Sequence, residues 1–177
     1  MTTPAPTWQM PTEPTGPAPG VRFAGHGARL GAYILDAILV GIVTSVLLMI
    51  IMIPLFSSLW GIAITSDGEI SGVDTGAMAA SVGLLILGGL VISVFGLLYF
   101  PFFWTRGGAT PGMKVAGIRV VNDRDGSPIG WGTALLRLVG WWVSAAVFYI
   151  GFAWILVDSR RRGWHDLIAG TCVIASR

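Results

Sequence analysis

Charge is scarce in this chain. Only 11% of its 177 residues are Asp, Glu, Lys or Arg, against roughly a quarter in an ordinary water-facing domain. That shortage excludes a globule whose only solvent is water. Lysine occurs once, as Lys114, beside ten arginines, and the net charge of +2 reads as membrane topology rather than as a nucleic-acid footprint. One cysteine, Cys172, excludes an internal disulfide. The two histidines, His26 and His165, make no set with zinc-ligand spacing. No nucleophile–base set accompanies them, so no enzymatic chemistry, cofactor or metal is expected.

Apolar residues take the place of charge. They make up 54% of the chain, its mean hydropathy is +0.75, and they fall in long runs. Residues 30–53 supply about the twenty residues that a bilayer core requires, with Pro54 and the Ser57–Ser58 pair as the expected stop. Residues 77–104 form a second run, long enough to span with some tilt. Its end carries Phe95, Tyr99, Phe100, Phe102, Phe103 and Trp104, the composition of a headgroup-level aromatic belt. The stretch before these runs, residues 1–21, holds six of the ten prolines and reads as a disordered tail. It has no basic region followed by an apolar core, so the first span is expected to act as an uncleaved targeting signal. Residues 22–177 then form one membrane domain.

The loop between the runs holds Asp67, Glu69 and Asp74 and no Lys or Arg, whereas the next polar stretch carries Arg106, Lys114, Arg119 and Arg124. By the positive-inside rule the acidic loop faces out and the helical pair has both ends in the cytoplasm. A third apolar segment, residues 133–157, has two readings. A single span would place Arg160, Arg161 and Arg162 outside, against that rule, while two crossings need about forty residues. A re-entrant or interfacial hairpin satisfies both constraints, with Gly140 and Gly151 as places to bend and Arg137 tolerated in a shallow helix. Short β-type runs at Val115–Val121 and Gly170–Ala175 flank this segment and can pair into a small cytoplasmic sheet. The expected fold is therefore an all-α membrane protein with a minor β-pair.

Arg29 and Asp36 are seven residues apart on the first span, close to two helical turns, so they share a face, with Asp36 about 10 Å deeper. A carboxylate near the middle of a membrane helix costs about 2.5–3.5 kcal/mol on insertion scales, so Asp36 must be sheltered by protein or water. Gly31, Ala32, Ala37 and Gly41 around it admit a close neighbour. These residues, in RLGAYILD, together with Asp166 in WHDLIAGT, resemble the RDD family of membrane proteins, named for one arginine and two aspartates. The intervening GGATPGMKVAGIRVVNDRDGSPIG and the closing DSRRRGWHDLIAGTCVI are similar to that family's Gly-Thr-Gly segment and terminal pattern, although Met113 stands where many members carry a basic residue. The resemblance covers Arg22 to Ile174 and implies a multi-span membrane protein, with transport of ions or small ligands the usual suggestion.

Two functions follow. In a transporter, Asp36 is the ion-coupling carboxylate, and Arg29, Arg137 and Asp166 complete its polar cluster. In a scaffold or accessory subunit the same charges fix packing, with Asp36 paired to Arg29 or Arg137, and the Pro-rich tail contacts a partner. Asp166 alone reads as an anchor through Arg29 or backbone N–H groups. GGATPGMK has Met113 where a phosphate loop needs its lysine and reads as a tight surface turn stiffened by Pro111. Arg160 to Arg162 suit anionic lipid, at about 1 kcal/mol per charge. Two or three segments scarcely enclose a pathway, so a homo-oligomer or larger membrane complex is expected. The excess of Arg over Lys, with abundant Gly and Ala, fits a GC-rich bacterial genome, and a multi-pass inner-membrane protein with its N-terminus in the cytoplasm is expected.

Overall fold

The computed structural model describes residue 16, residues 20–63 (58–63 as backbone) and residues 75–176. Most of the Pro-rich stretch, and Asp67, Glu69 and Asp74, lie outside the described residues. Two long helices dominate, α1 (His26–Ala63) and α2 (Thr75–Gly107). A short α3 (Pro111–Val115) leads to strand β1 (Ile118–Asn122), followed by α4 (Trp131–Ala146) and α5 (Ile150–Ala153). After α5 come a 3-10 turn (Trp154–Leu156), α6 (Trp164–Ala169) and β2 (Thr171–Ala175).

Both long helices have the length and apolarity to cross a bilayer, and each points large apolar side chains outward, among them Ile42, Ile50, Ile86 and Leu90. Such faces are stable only against lipid. The first helix does not stop at Pro54 but runs through it to Ala63. Within hydrocarbon no water is available to take over freed backbone groups, so a proline bends or perturbs a membrane helix more readily than it ends one. The two helices approach closely where Gly88 meets Ile51: a Cβ on Gly88 would fall 2.1 Å from the Ile51 Cδ1 atom.

The packed core lies at one end of this pair, where α1 begins and α2 finishes. Ala32, Trp104, Met113, Ile118, Val120, Ala134 and Val173 are buried together there. The aromatic run at the end of α2 is accordingly not a plain belt. Tyr99 and Trp104 turn inward and are buried, and Phe102 is exposed, because α1 and α4 pack against the helix from one side. Strands β1 and β2 pair antiparallel, with Ile118 opposite Ala175 and Asn122 opposite Thr171. The chain before α1 docks on the free edge of β2 through a bridge between Phe23 and Ile174 and a hydrogen bond from Ala24 N–H to Val173 O. That third segment supports a pair that would be marginal by itself.

The sheet resolves the third apolar segment. Everything from α4 to α6 lies between two strands bonded to each other, so the chain must leave and return on the same membrane face. Helix α4, with 16 residues, rises about 24 Å, and the returning α5 and 3-10 turn are far too short to recross about 30 Å of hydrocarbon. The chain bends by 111° between the two arms. The segment is a bent helix pair, a re-entrant or interfacial hairpin rather than a span. Its bend is not at either glycine but between Val147 and Tyr149, where Phe148 (φ 48°) and Tyr149 (φ 60°) adopt left-handed backbone. Gly140 and Gly151 serve packing instead. A Cβ on Gly140 would lie 2.7 Å from His165 Cα, and one on Gly151 would lie 2.3 Å from Ser144 Oγ.

Cys172 is buried in β2, and burial, with Asp123 adding, pushes its thiol up to about 12, so it is a poor competitor for labelling reagents. Gly20→Cys and Ser176→Cys, both at exposed positions, are therefore expected to react with a membrane-impermeant maleimide from one and the same side of oriented vesicles. Labelling from opposite sides would require the third segment to cross.

Candidate polar site at the sheet end of the bundle

Two buried carboxylates organise this end of the molecule, and they have different surroundings. Asp36, 1% exposed, is met entirely by neutral donors. The Tyr99 hydroxyl of α2 donates to Oδ1 at 3.0 Å, Gly112 N–H donates to the same oxygen at 2.8 Å, and the Thr110 hydroxyl donates to Oδ2 at 2.5 Å. Among the described residues no arginine or lysine pairs with it. The sequence suggested Arg29 or Arg137 as its partner within one cluster. Both arginines are instead taken by Asp166, because α3 wedges its own donors against Asp36.

The segment GGATPGMK is thus more than a surface turn. Thr110 caps α3, its hydroxyl oxygen accepting from Met113 N–H, and Pro111 occupies the first helical position, where a missing N–H costs nothing. Gly112 then presses onto α1, where a Cβ would fall 2.3 Å from Ala32 O and 2.9 Å from Asp36 Cγ. Only glycine permits this approach. Met113 goes into the core, while Lys114 is exposed.

Asp166, fully buried in α6, lies between two guanidinium groups. Arg29 Nη1 donates to Oδ2 at 2.8 Å, and Arg137 Nη1 donates to Oδ1. Arg137 also donates to Thr171 Oγ1 at 2.5 Å and lies over the Trp104 ring, 4.8 Å from its centroid. Oδ2 further accepts from Gly163 N–H at 3.1 Å, closing the first turn of α6 in the manner of a capping box. Burial by itself would raise the Asp166 pKa, but Arg137 and Arg29 outweigh it and hold the carboxyl well below the usual carboxylate range.

His165 is buried beside this triad, its ring between Trp141 (5.9 Å) and Phe152 (5.3 Å). Burial pushes its pKa down to about 3, with Arg137 and Arg29 adding and Asp166 opposing, so the ring is neutral at physiological pH. No group of three or more His, Cys, Asp or Glu side chains suited to a metal occurs among the described residues. Arg160 and Arg162 both pair with Asp123, and Arg162 also with Asp158. Burial works against Asp158, but Arg162 lowers its pKa on balance.

Arg29, Arg137 and Asp166 therefore meet in one site, and Asp36 forms another. Sequence reading missed Tyr99, Thr110 and Gly112 as members of the Asp36 site and Thr171 as a member of the Asp166 site. The signal available for Thr110 and Gly112 was the Thr-Pro-Gly order, an N-cap followed by a helix start.

Residues 23–170 match the profile of the RDD family. The chain is similar to uncharacterized protein YckC of Bacillus subtilis, at 32% identity over 159 residues that cover 85% of this chain and 83% of the relative. It is 29% identical to uncharacterized protein YxaI of the same organism, covering 85% and 96% of the two chains. It is 31% identical over 115 residues to a proline-rich antigen homolog of Mycobacterium tuberculosis, covering 60% of this chain and 47% of the relative. The chain thus spans about half the length of that antigen homolog. No solved structure matches with significance.

Two predictions come from the triad and the cradle. Asp166→Asn leaves two buried cations facing a neutral amide, and the loss of folding stability is expected to reach about 3–5 kcal/mol. Gly112→Ala overpacks the α1–α3 contact by about 1–3 kcal/mol. Denaturation in detergent micelles measures both, and wild-type stability for either would refute the assigned contact. His165 gives a pH test. Its folded pKa is depressed, so the unfolded chain binds the extra proton, and stability is present above about 6.5 and lost as pH falls toward 3. The slope approaches about 1.4 kcal/mol per pH unit, and His165→Phe is expected to flatten it.

Proposed function

This chain belongs to the RDD family, and from that premise we propose that it is a transporter of protons or small monovalent cations in which Asp36 is the exchanging group. One observation carries this reading: a carboxylate buried in a membrane helix is satisfied by hydroxyl and amide donors, without a fixed cation. A guanidinium partner would hold the carboxylate permanently charged and occupied. Hydroxyl groups rotate and offer lone pairs as readily as hydrogens, so Tyr99 and Thr110 can donate to the bare carboxylate and then help ligate an incoming cation. An oxygen donor set suits a hard cation. Arg29, Arg137 and Asp166 hold the end of the bundle beside it.

A scaffold reading has its own support, since the same three hydrogen bonds tie α1 to α2 and α3. We place the protein in the inner membrane of a bacterium with the sheet in the cytoplasm. The support is the basic content of that end: Arg119 lies in β1, Lys114 and Arg124 flank it, Arg22 bonds to β2 through its backbone, and Arg160 and Arg162 pair with Asp123 just beyond β1. Contact of Arg160 to Arg162 with anionic lipid, and assembly into an oligomer or complex that encloses the pathway, belong to the same proposal.

Reconstituted vesicles with an internal pH dye discriminate the two functions. A sodium or potassium gradient is expected to drive proton movement through the wild-type chain, and Asp36→Asn is expected to abolish it while the variant still inserts and runs as a single species. Flux that is unchanged by Asp36→Asn, or absent from the wild-type chain, would leave the scaffold.

A further inference from the structure

The triad carries an unbalanced charge. Arg29 and Arg137 contribute two positive charges against the one negative charge of Asp166, and His165 beside them is neutral. Arg29 spends only Nη1 on Asp166. Its Nε and Nη2, like those of Arg137, have no hydrogen-bond partner among the described residues, although Arg29 is only 3% exposed. Unmade hydrogen bonds from a buried cation are costly, so an acceptor belongs beside them.

Arg29 lines a groove of about 350 Å³ between the first turns of α1 and the returning arm of the hairpin, together with His26, Leu30, Tyr33, Phe152 and Ile155. His26 closes its outer end, with Nε2 3.1 Å from Ile155 O. A second space, of about 400 Å³, adjoins it along α1 and shares Tyr33 and Phe152; its other walls include Ala37, Val40, Phe100 and Trp141. Positions 26, 29, 30, 33, 37 and 40 recur at helical spacing, so the two spaces run down one face of α1 for about 21 Å. One end presents a cation and the remainder is apolar.

We propose that this groove binds one anionic phospholipid, its phosphate at Arg29 and one acyl chain laid along α1 past Tyr33 and Ala37 toward Val40. The shape of the site selects this occupant. A free inorganic anion would leave the apolar length unused, and an uncharged chain would leave the Arg29 N–H groups unpaired. A zwitterionic headgroup brings its own cation to a region that already has one in excess. The site is separate from the partly exposed Arg160 to Arg162 stretch, whose Arg160 and Arg162 are already paired with carboxylates. It does not rest on the transport reading.

Native mass spectrometry of the full chain in detergent tests the proposal with phosphatidylglycerol and phosphatidylcholine as probes. One phosphatidylglycerol per chain is expected to be retained, at least about tenfold more tightly than phosphatidylcholine. Ala37→Phe and Val40→Trp fill the apolar end without touching any charge. Each is expected to weaken phosphatidylglycerol binding by about tenfold while the lipid-free melting temperature stays within a few degrees of wild type. Equal retention of the two lipids, or wild-type affinity in both filled variants, would overturn the site. Displacement of the lipid by millimolar inorganic phosphate would overturn the lipid as occupant.

Discussion

The placement of every element at the sheet end depends on one carboxylate held between two guanidinium groups. Asp166 reaches Arg29 on α1 and Arg137 on α4, while its own helix leads directly into β2. Desolvating three charged groups is expensive, and such pairs often contribute little net stability relative to apolar packing. Their effect is on uniqueness: with Asp166 buried, only an arrangement that brings both arginines to it avoids an isolated charge. The long apolar helices cannot supply that discrimination. Against lipid, one apolar face packs about as well as another.

Asp36 shows how environment separates two acids in one small chain. Asp166 has two cations, and its protonation is locked. Asp36 lies deeper along α1 and meets hydroxyl groups and a backbone amide. Both satisfy the requirement that a buried carboxylate be hydrogen-bonded, but only the first does so through fixed cations. The difference originates in α3, five residues long, whose Thr-Pro-Gly start brings donors to a position that an arginine would otherwise have to fill.

Much of the architecture was legible in the sequence because membrane physics leaves few alternatives. Runs of apolar length gave the two spans, the arginine distribution gave a shared side for the polar segments, and β-type residues at Ile118 and Val173 gave the strand pair. The errors have physical causes. Pro54 was read as a helix end by a rule that holds in water but not in hydrocarbon. Gly140 and Gly151 were read as bends, when their lack of Cβ serves contact with His165 and Ser144. Arg29 and Asp36 do share a face of α1 about two turns apart, but helical spacing says nothing about what faces them. The partners of Asp36 come from residues 63 to 76 positions away, and no local pattern encodes such distances.

The hairpin links these features. Its bend is made by Phe148 and Tyr149 in left-handed backbone, a conformation that costs bulky residues about 1–3 kcal/mol and persists only where surrounding structure imposes it. Two clamps impose it. Gly151 packs against Ser144 across the arms, and the foot is fixed by Arg137 on the outgoing arm and Asp166 just after the returning one. Anchoring that foot to α1 as well requires a second arginine on the same carboxylate, which is what leaves the site one positive charge in excess. The excess charge beside the groove therefore follows from the hairpin's anchoring: a membrane-embedded hairpin tied to a long helix through an Arg–Asp–Arg bridge carries one more cation than anion, with Arg29 buried beside the groove.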